Sequence, residues 1–139
     1  MSEDDLGALL ARATRRLLDA ERPLLAARDL SIWGYVVLSH LAAAPAETQL
    51  SLARAIGYDK SRLIGLLDEL EGAGLLTRKP DPKDRRAKVI SLTAAGKSRQ
   101  ERARRDIRAM ERRLLAGVDP ADVDLLRKLL ASLSATGET

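Results

Sequence analysis

The residues that could do chemistry in this 139-residue sequence are mostly arginines and lysines, and they are unevenly spread. Between Arg78 and Arg113 there are 14 Lys and Arg against 5 Asp and Glu, a net charge of +9. The rest of the chain has 10 Lys and Arg against 15 Asp and Glu, a net charge of −5. Clustered cations neutralise phosphates, so this segregation indicates a polyanionic partner. The alternative is a solvated, charge-laced helix, which explains the residues after Ser98 equally well.

Groups suited to catalysis or metal binding are scarce. His40 is the only histidine, there is no cysteine, and no nucleophile stands beside a suitable base. The sequence therefore predicts no enzyme activity, no metal site and no cofactor. The acidic start, Met1 to Asp5, does not resemble a signal peptide, and the most apolar stretch, Ile32 to Ala46, is too short to span a bilayer. We therefore expect a cytoplasmic protein without membrane contact.

The elements that must position the basic residues are predicted to be mainly helical. Hydrophobic residues make up 45% of the chain and aromatic residues only 2%, which favours packed helices over a large sheet. Apolar residues recur at three- and four-residue intervals at Leu6, Leu9, Leu10, Ala13 and Leu17. They indicate a first amphipathic helix that ends before Pro23. Caps and periodicity predict five more helices: from Ser31 to about Ala44, from Thr48 to Ile56, from Asp59 to about Glu71, from Thr93 to about Leu115, and from Asp119 onward.

Two short extended runs, Leu75 to Lys79 and Lys88 to Leu92, flank a turn-rich basic loop and predict a β-hairpin. The helices before it have the spacing of a helix-turn-helix, in which a small residue lies at the crossing, a glycine makes the turn and two leucines lock the second helix. These residues are Gln49, Ala53, Gly57, Leu63 and Leu66. A helix-turn-helix followed by a β-hairpin is a winged helix. An ordinary helical hairpin with the same spacing is the alternative.

Two segments resemble, in order, the core of the multiple antibiotic resistance regulator (MarR) family of transcription factors. They are TQLSLARAIGYDKSRLIGLLDELEGAGLL at Thr48 to Leu76 and RKPDPKDRRAKVISLTAAG at Arg78 to Gly96. The resemblance implies one domain over 1–139, with a winged helix-turn-helix DNA-binding lobe at 31–96 and dimerisation helices at 1–30 and 98–139. It also implies a homodimer that binds pseudo-palindromic double-stranded DNA as a repressor. A winged helix that binds another protein remains the alternative.

The resemblance places the helix from Lys60 to Glu71 in the major groove. Its exposed positions Ser61, Arg62, Ile64 and Gly65 would then face the bases. Arginine can bond guanine bidentately, and isoleucine can touch a thymine methyl. The family usually has polar residues where Ile64 and Gly65 stand, so Arg62 and DNA shape would carry more of the specificity.

Further contacts implied by the resemblance are to the DNA backbone and the minor groove. Lys60, Thr48 and Gln49 would bind phosphates, which position the protein without specifying sequence. At the hairpin tip, Asp84 would steady an arginine, Arg86, that enters the minor groove. Additional phosphate contacts would come from Arg78, Lys83 and Arg85.

The resemblance also implies that a small-molecule effector binds between the dimerisation helices and the DNA-binding lobe. The polar and aromatic candidates near such a cleft are Arg15, Arg22, Trp33, Tyr35 and His40. Trp33 and Tyr35 could equally belong to the core and the dimer interface, so the sequence leaves the effector site open.

Overall fold

The computed structural model describes residues 4–46, 48–84 and 86–135. In these residues the elements are α1 (Leu6–Ala26), α2 (Ile32–Ala43), α3 (Gln49–Ile56), α4 (Lys60–Gly72), β1 (Leu76–Pro80), β2 (Lys88–Leu92), α5 (Ala94–Leu114) and α6 (Pro120–Ala135). The predicted mainly helical fold with one β-hairpin is confirmed. The chain divides into two compact units within α5, one up to Ile107 and the other from Arg108.

Side-chain caps determine where five of the helices begin. In each, an oxygen accepts a backbone N–H of the first helical turn, which has no partner within the helix. The capping residues are Ser31 for α2, Thr48 for α3, Asp59 for α4, Thr93 for α5 and Asp119 for α6. The sequence predicts all five, and the structure confirms them. Gly57 ends α3 in the left-handed conformation, at φ +70°, as the helix-turn-helix spacing requires.

The first unit has an aliphatic core around α2, which contacts α1, α3 and β2. Val37 and Leu38 of α2 are fully buried, together with Leu63 and Leu67 of α4 and Ile90 of β2. Each such leucine contributes about 1.5–3 kcal/mol by leaving water. Helix α2 is therefore central to this unit, and α4 and the hairpin share its core.

The prediction that the first helix ends before Pro23 is wrong, because α1 continues to Ala26. Proline lacks one N–H and so removes a single hydrogen bond from the last turn of the helix. The chain beyond it is anchored by Leu25, which is fully buried and whose carbonyl accepts the N–H groups of Arg28 and Leu30, each at 2.9 Å. Burial of Leu25 and these two bonds therefore anchor the end of α1 beyond the proline.

The hairpin pairs Leu76 with Leu92 at its base and Pro80 with Lys88 toward its tip. β1 begins one residue later than predicted, because the N–H of Leu75 instead donates to Leu70 and closes the end of α4. On its other edge β2 is joined by Ala46, whose N–H and C=O bond Ile90 at 2.9 and 2.8 Å. This bridge fixes the hairpin to the segment that leads into α3.

The first and last helices each carry an apolar stripe that is exposed in the single chain. On α1, Leu6 and Leu9 are exposed, and on α6 Leu126 and Leu133 are exposed, as is Leu129 at 58%. Apolar surface of this extent is normally covered by a partner. None of the described helices is long and apolar enough to cross a membrane.

Candidate nucleic-acid interface

A depression of about 380 Å³ lies where the starts of α3 and α4 face the hairpin. It is lined by Thr48, Gln49, Leu50, Lys60, Arg86, Ala87 and Lys88. The structure therefore brings together four predicted contact residues from three separate elements. Sequence reasoning missed Leu50 and Lys88, although Lys88 has a sequence signal: it opens β2 within the basic run.

The depression is suited to an anion. Its lining contains three cations, Lys60, Arg86 and Lys88, and no carboxylate. The first turns of α3 and α4 border it, and helix N-termini favour negative charge. Thr48 Oγ1 accepts the N–H of Ser51 at 2.9 Å, which leaves its hydroxyl hydrogen able to donate to a phosphate oxygen.

The first half of α4 presents an exposed surface beside this depression. Ser61, Arg62, Ile64 and Gly65 are all exposed. Three of them, at positions 61, 64 and 65, share one helix face because residues three and four apart are neighbours. Nothing lies within 4 Å of a side chain built at Gly65. A helix about 10–12 Å across fits a major groove about 12 Å wide, so this surface can meet base edges.

Short side-chain bonds shape the hairpin tip. Asp84 Oδ1 accepts the backbone N–H of Arg86 at 3.0 Å, and Asp81 Oδ1 accepts that of Lys83 at 2.9 Å. Asp84 therefore holds the backbone of the arginine, while the Arg86 side chain is exposed. Lys83 is exposed as well, and Arg85 lies outside the described residues.

Arg78 is positioned differently from its predicted phosphate contact. Its side chain is only 14% exposed and donates to Asp68 at 2.5 Å and to Glu71 at 2.7 Å, both on α4. Hydrogen bonds from Arg78 hold the pKa of the Glu71 carboxyl below its usual range and raise the pKa of Arg78. The guanidinium is thus engaged within the protein, and its contact with a phosphate stays a prediction from the sequence.

The effector candidates are only partly brought together. Arg22 and Trp33 line one depression of about 380 Å³ beside Leu18, and Arg15 and Arg22 line a second, more open one of about 500 Å³ along α1. His40 is exposed on α2 and Tyr35 is half-buried. Neither of them lines these two depressions.

Trp33 has an aromatic partner that sequence reasoning missed. Its ring centroid lies 4.4 Å from that of Tyr58, with the planes tilted by 31°. Tyr58 stands in the turn between α3 and α4, one residue before the cap of α4. The depression at Trp33 is therefore in direct contact with the helix-turn-helix. Among the described residues no cluster of His, Asp or Glu could hold a metal ion.

Comparison with known proteins identifies the family. A sequence profile described as the MarR family matches residues 30–88. The crystal structure of a MarR-family transcriptional regulator from Rhodococcus sp. RHA1 is 30% identical, covers 99% of this chain and 100% of its own, and superposes with a TM-score of 0.85. The chain belongs to the MarR family. MarR proteins are transcriptional regulators, and the winged helix-turn-helix predicted from the sequence is confirmed.

Two further MarR relatives have been solved with ligands. The transcriptional repressor CouR, bound to a 23-mer DNA duplex, is 30% identical over 94% of this chain and 92% of its own, with a TM-score of 0.84. CouR from Rhodococcus jostii RHA1 has also been solved with p-coumaroyl-CoA. NadR in complex with 4-hydroxyphenylacetate is 25% identical over 99% of this chain and 98% of its own, with a TM-score of 0.83.

Proposed function

We propose that this chain is a repressor that binds a pseudo-palindromic operator as a homodimer in the cytoplasm. The exposed face of α4 would lie in the major groove, and the tip of the hairpin would reach the adjacent minor groove. The observation that carries this proposal is the depression whose cations, Lys60, Arg86 and Lys88, come from α4 and the hairpin together. The DNA-bound relative CouR supports the same partner.

The dimer would form through the apolar surfaces that the single chain leaves exposed. We assign this role to residues 1–30 and 98–139, and DNA binding to 31–96. Leu6 and Leu9 on α1 and Leu129 and Leu133 on α6 are each more than 40% exposed. Two copies related by a two-fold axis would cover these stripes and present two α4 helices to one duplex.

Selection of bound fragments from the source genome would test this function. We expect the selected duplexes to contain two half-sites about 10 base pairs apart, centre to centre, because two recognition helices meet successive major grooves on one side of the duplex. Chemical footprinting should show paired protection, and affinity should fall steeply with salt. If no fragments are selected and any DNA binding is insensitive to salt, the winged helix instead binds another protein.

An aromatic effector is the second part of the proposal. The crystallised ligands p-coumaroyl-CoA of CouR and 4-hydroxyphenylacetate of NadR both carry a phenolic ring. In this chain, Arg22 supplies a cation and Trp33 an aromatic ring to one depression. The contact between Trp33 and Tyr58 gives a ligand there a physical route to the cap of α4.

Phenolic acids should therefore quench Trp33 fluorescence and weaken DNA binding together. Trp33 is the only tryptophan, so the signal reports this depression alone. A ligand that prefers the DNA-free geometry of the protein lowers the protein's affinity for DNA. By thermodynamic linkage, DNA lowers the protein's affinity for the ligand by the same factor, typically about 5- to 150-fold. Fluorescence and DNA titrations with the same compounds measure both effects.

Tyr58→Leu is the matched control for this prediction. It removes the ring that contacts Trp33 and leaves the lining of the depression intact. We expect the variant to keep the fluorescence change and to lose most of the effect on DNA affinity. A panel of aromatic acids that leaves both signals of the wild type unchanged would show that Trp33 is only a structural residue.

A further inference from the structure

An ion-pair cluster joins the hairpin to α4. We call it the Arg78 cluster; it consists of Arg78, Asp68 and Glu71. Besides its bond to Asp68, Arg78 donates three hydrogen bonds to the Glu71 carboxylate: from Nε at 3.1 Å, from a terminal nitrogen at 2.7 Å and from its backbone N–H at 3.2 Å. Glu71 therefore holds both the main chain and the side chain of β1.

The backbone bond matters because β1 is an edge strand. Arg78 stands opposite Ile90, whose own N–H and C=O are bonded to Ala46. The N–H of Arg78 accordingly points away from β2, where an edge strand has no partner strand. Glu71 accepts it and closes that edge onto α4. The hairpin is thus held on one side by α4 and on the other by the segment that precedes α3.

The charge of the cluster argues against a phosphate site. One arginine and two carboxylates carry a net charge of −1, so the cluster as a whole repels phosphate. Asp68 lies four residues after Ile64 and seven after Ser61, so it continues the exposed face of α4. Without Arg78, that face would present an unneutralised carboxylate to DNA. Arg78 offsets this charge and is no longer free to neutralise a phosphate.

We propose that Arg78 is a positioning residue that holds the hairpin at a fixed angle to α4, so that Arg86 reaches the minor groove when α4 lies in the major groove. This inference rests on the proposed function, since the angle matters only if both elements meet one duplex. The Arg78 cluster therefore affects how strongly the protein prefers one duplex sequence over another. It does not change how many DNA phosphates the protein neutralises.

Two variants and two duplexes test this role. Arg78→Gln and Glu71→Gln each break the cluster, and the duplexes are the selected operator and the same operator with G·C pairs where Arg86 enters the minor groove. We expect each variant to lose about 5-fold or more of the affinity ratio between the duplexes, while the slope of log affinity against log salt changes by less than about half a unit. The double variant should be no worse than Arg78→Gln alone, because Arg78 takes part in every contact of the cluster.

Glu69→Gln and Arg28→Gln are the matched controls. Glu69 is exposed on α4 and is not bonded to Arg78. Glu69→Gln therefore removes the same charge as Glu71→Gln but leaves the contact between Arg78 and Glu71 intact. Arg28 Nε donates to Asp106 at 2.8 Å and represents an ion pair outside the hairpin. Both variants should keep the affinity ratio. If Glu71→Gln behaves like Glu69→Gln, or if Arg78→Gln lowers the salt slope by about one unit with the ratio intact, the positioning role is wrong.

Hydrogen exchange provides a measurement that does not require DNA. The backbone amides of residues 76–79 should exchange about 10-fold faster in Arg78→Gln and Glu71→Gln than in the wild type, with the buried amides of α2 unchanged. If the wild type binds the operator but the variants exchange the amides of β1 no faster, the positioning role is wrong and the proposed function stands. A wild type that binds no duplex would overturn the proposed function and this role with it, whatever the exchange shows.

Discussion

Gly96→Ala should destabilise the first unit severely, lowering the free energy of unfolding by about 3 kcal/mol or more. A side chain built at Gly96 would place its Cβ 1.9 Å from the carbonyl oxygen of Leu75. That oxygen cannot turn away cheaply, because it accepts the N–H of Thr93 at 3.1 Å, and Thr93 in turn donates its hydroxyl to the carbonyl of Gly74 at 2.6 Å. Urea unfolding at a fixed protein concentration measures the loss.

Gly65→Ala is the control for this substitution. Gly65 also lies in a helix, but nothing lies within 4 Å of the added carbon, so the variant should gain about 0.5–1 kcal/mol from helix propensity. Opposite signs for two identical substitutions would show that backbone contact, and not glycine chemistry, sets the effect. A wild-type unfolding midpoint for Gly96→Ala would mean that α5 does not pack against the base of the hairpin at this distance.

The parts of the fold that sequence reasoning predicts correctly are those determined within a few residues. Thr48 and Asp59 cap the helices that follow them, because cap and capped N–H are three residues apart. Gly57 is recognisable because the left-handed conformation favours glycine. The same local logic fails at Pro23, where burial of Leu25 extends the helix beyond a residue that normally stops one.

The partners that sequence reasoning missed are separated along the chain. Arg78 belongs to a basic run, and nothing in that run shows that Glu71 and Asp68 turn toward it from α4. The bridge from Ala46 to Ile90 is a single residue and has no period to detect. Such contacts follow from how elements pack, and they decide which cations of a charged segment remain free to meet DNA.

The arginines of the hairpin and of α4 should have separable effects on DNA binding. Arg86→Ala should weaken binding to operator and to other A·T-rich duplexes alike and reduce the salt slope by about one unit, because a narrow minor groove attracts an arginine through its charge. Arg62→Ala should cost about 1–3 kcal/mol on the operator, relax the preference at one base pair per half-site and leave non-specific affinity nearly unchanged. Titrations of operator and scrambled duplex at several salt concentrations separate the two.

Two more variants give this prediction its controls. Asp84→Ala should resemble a weaker Arg86→Ala, because it frees the Arg86 backbone, which Asp84 holds at 3.0 Å, without removing the charge. Arg104→Ala removes an exposed cation of the same basic segment from α5, outside the depression, and should leave the salt slope unchanged. If Arg86→Ala binds like the wild type while Arg104→Ala loses affinity, then the basic face of α5 contacts DNA and the hairpin tip is a solvated loop.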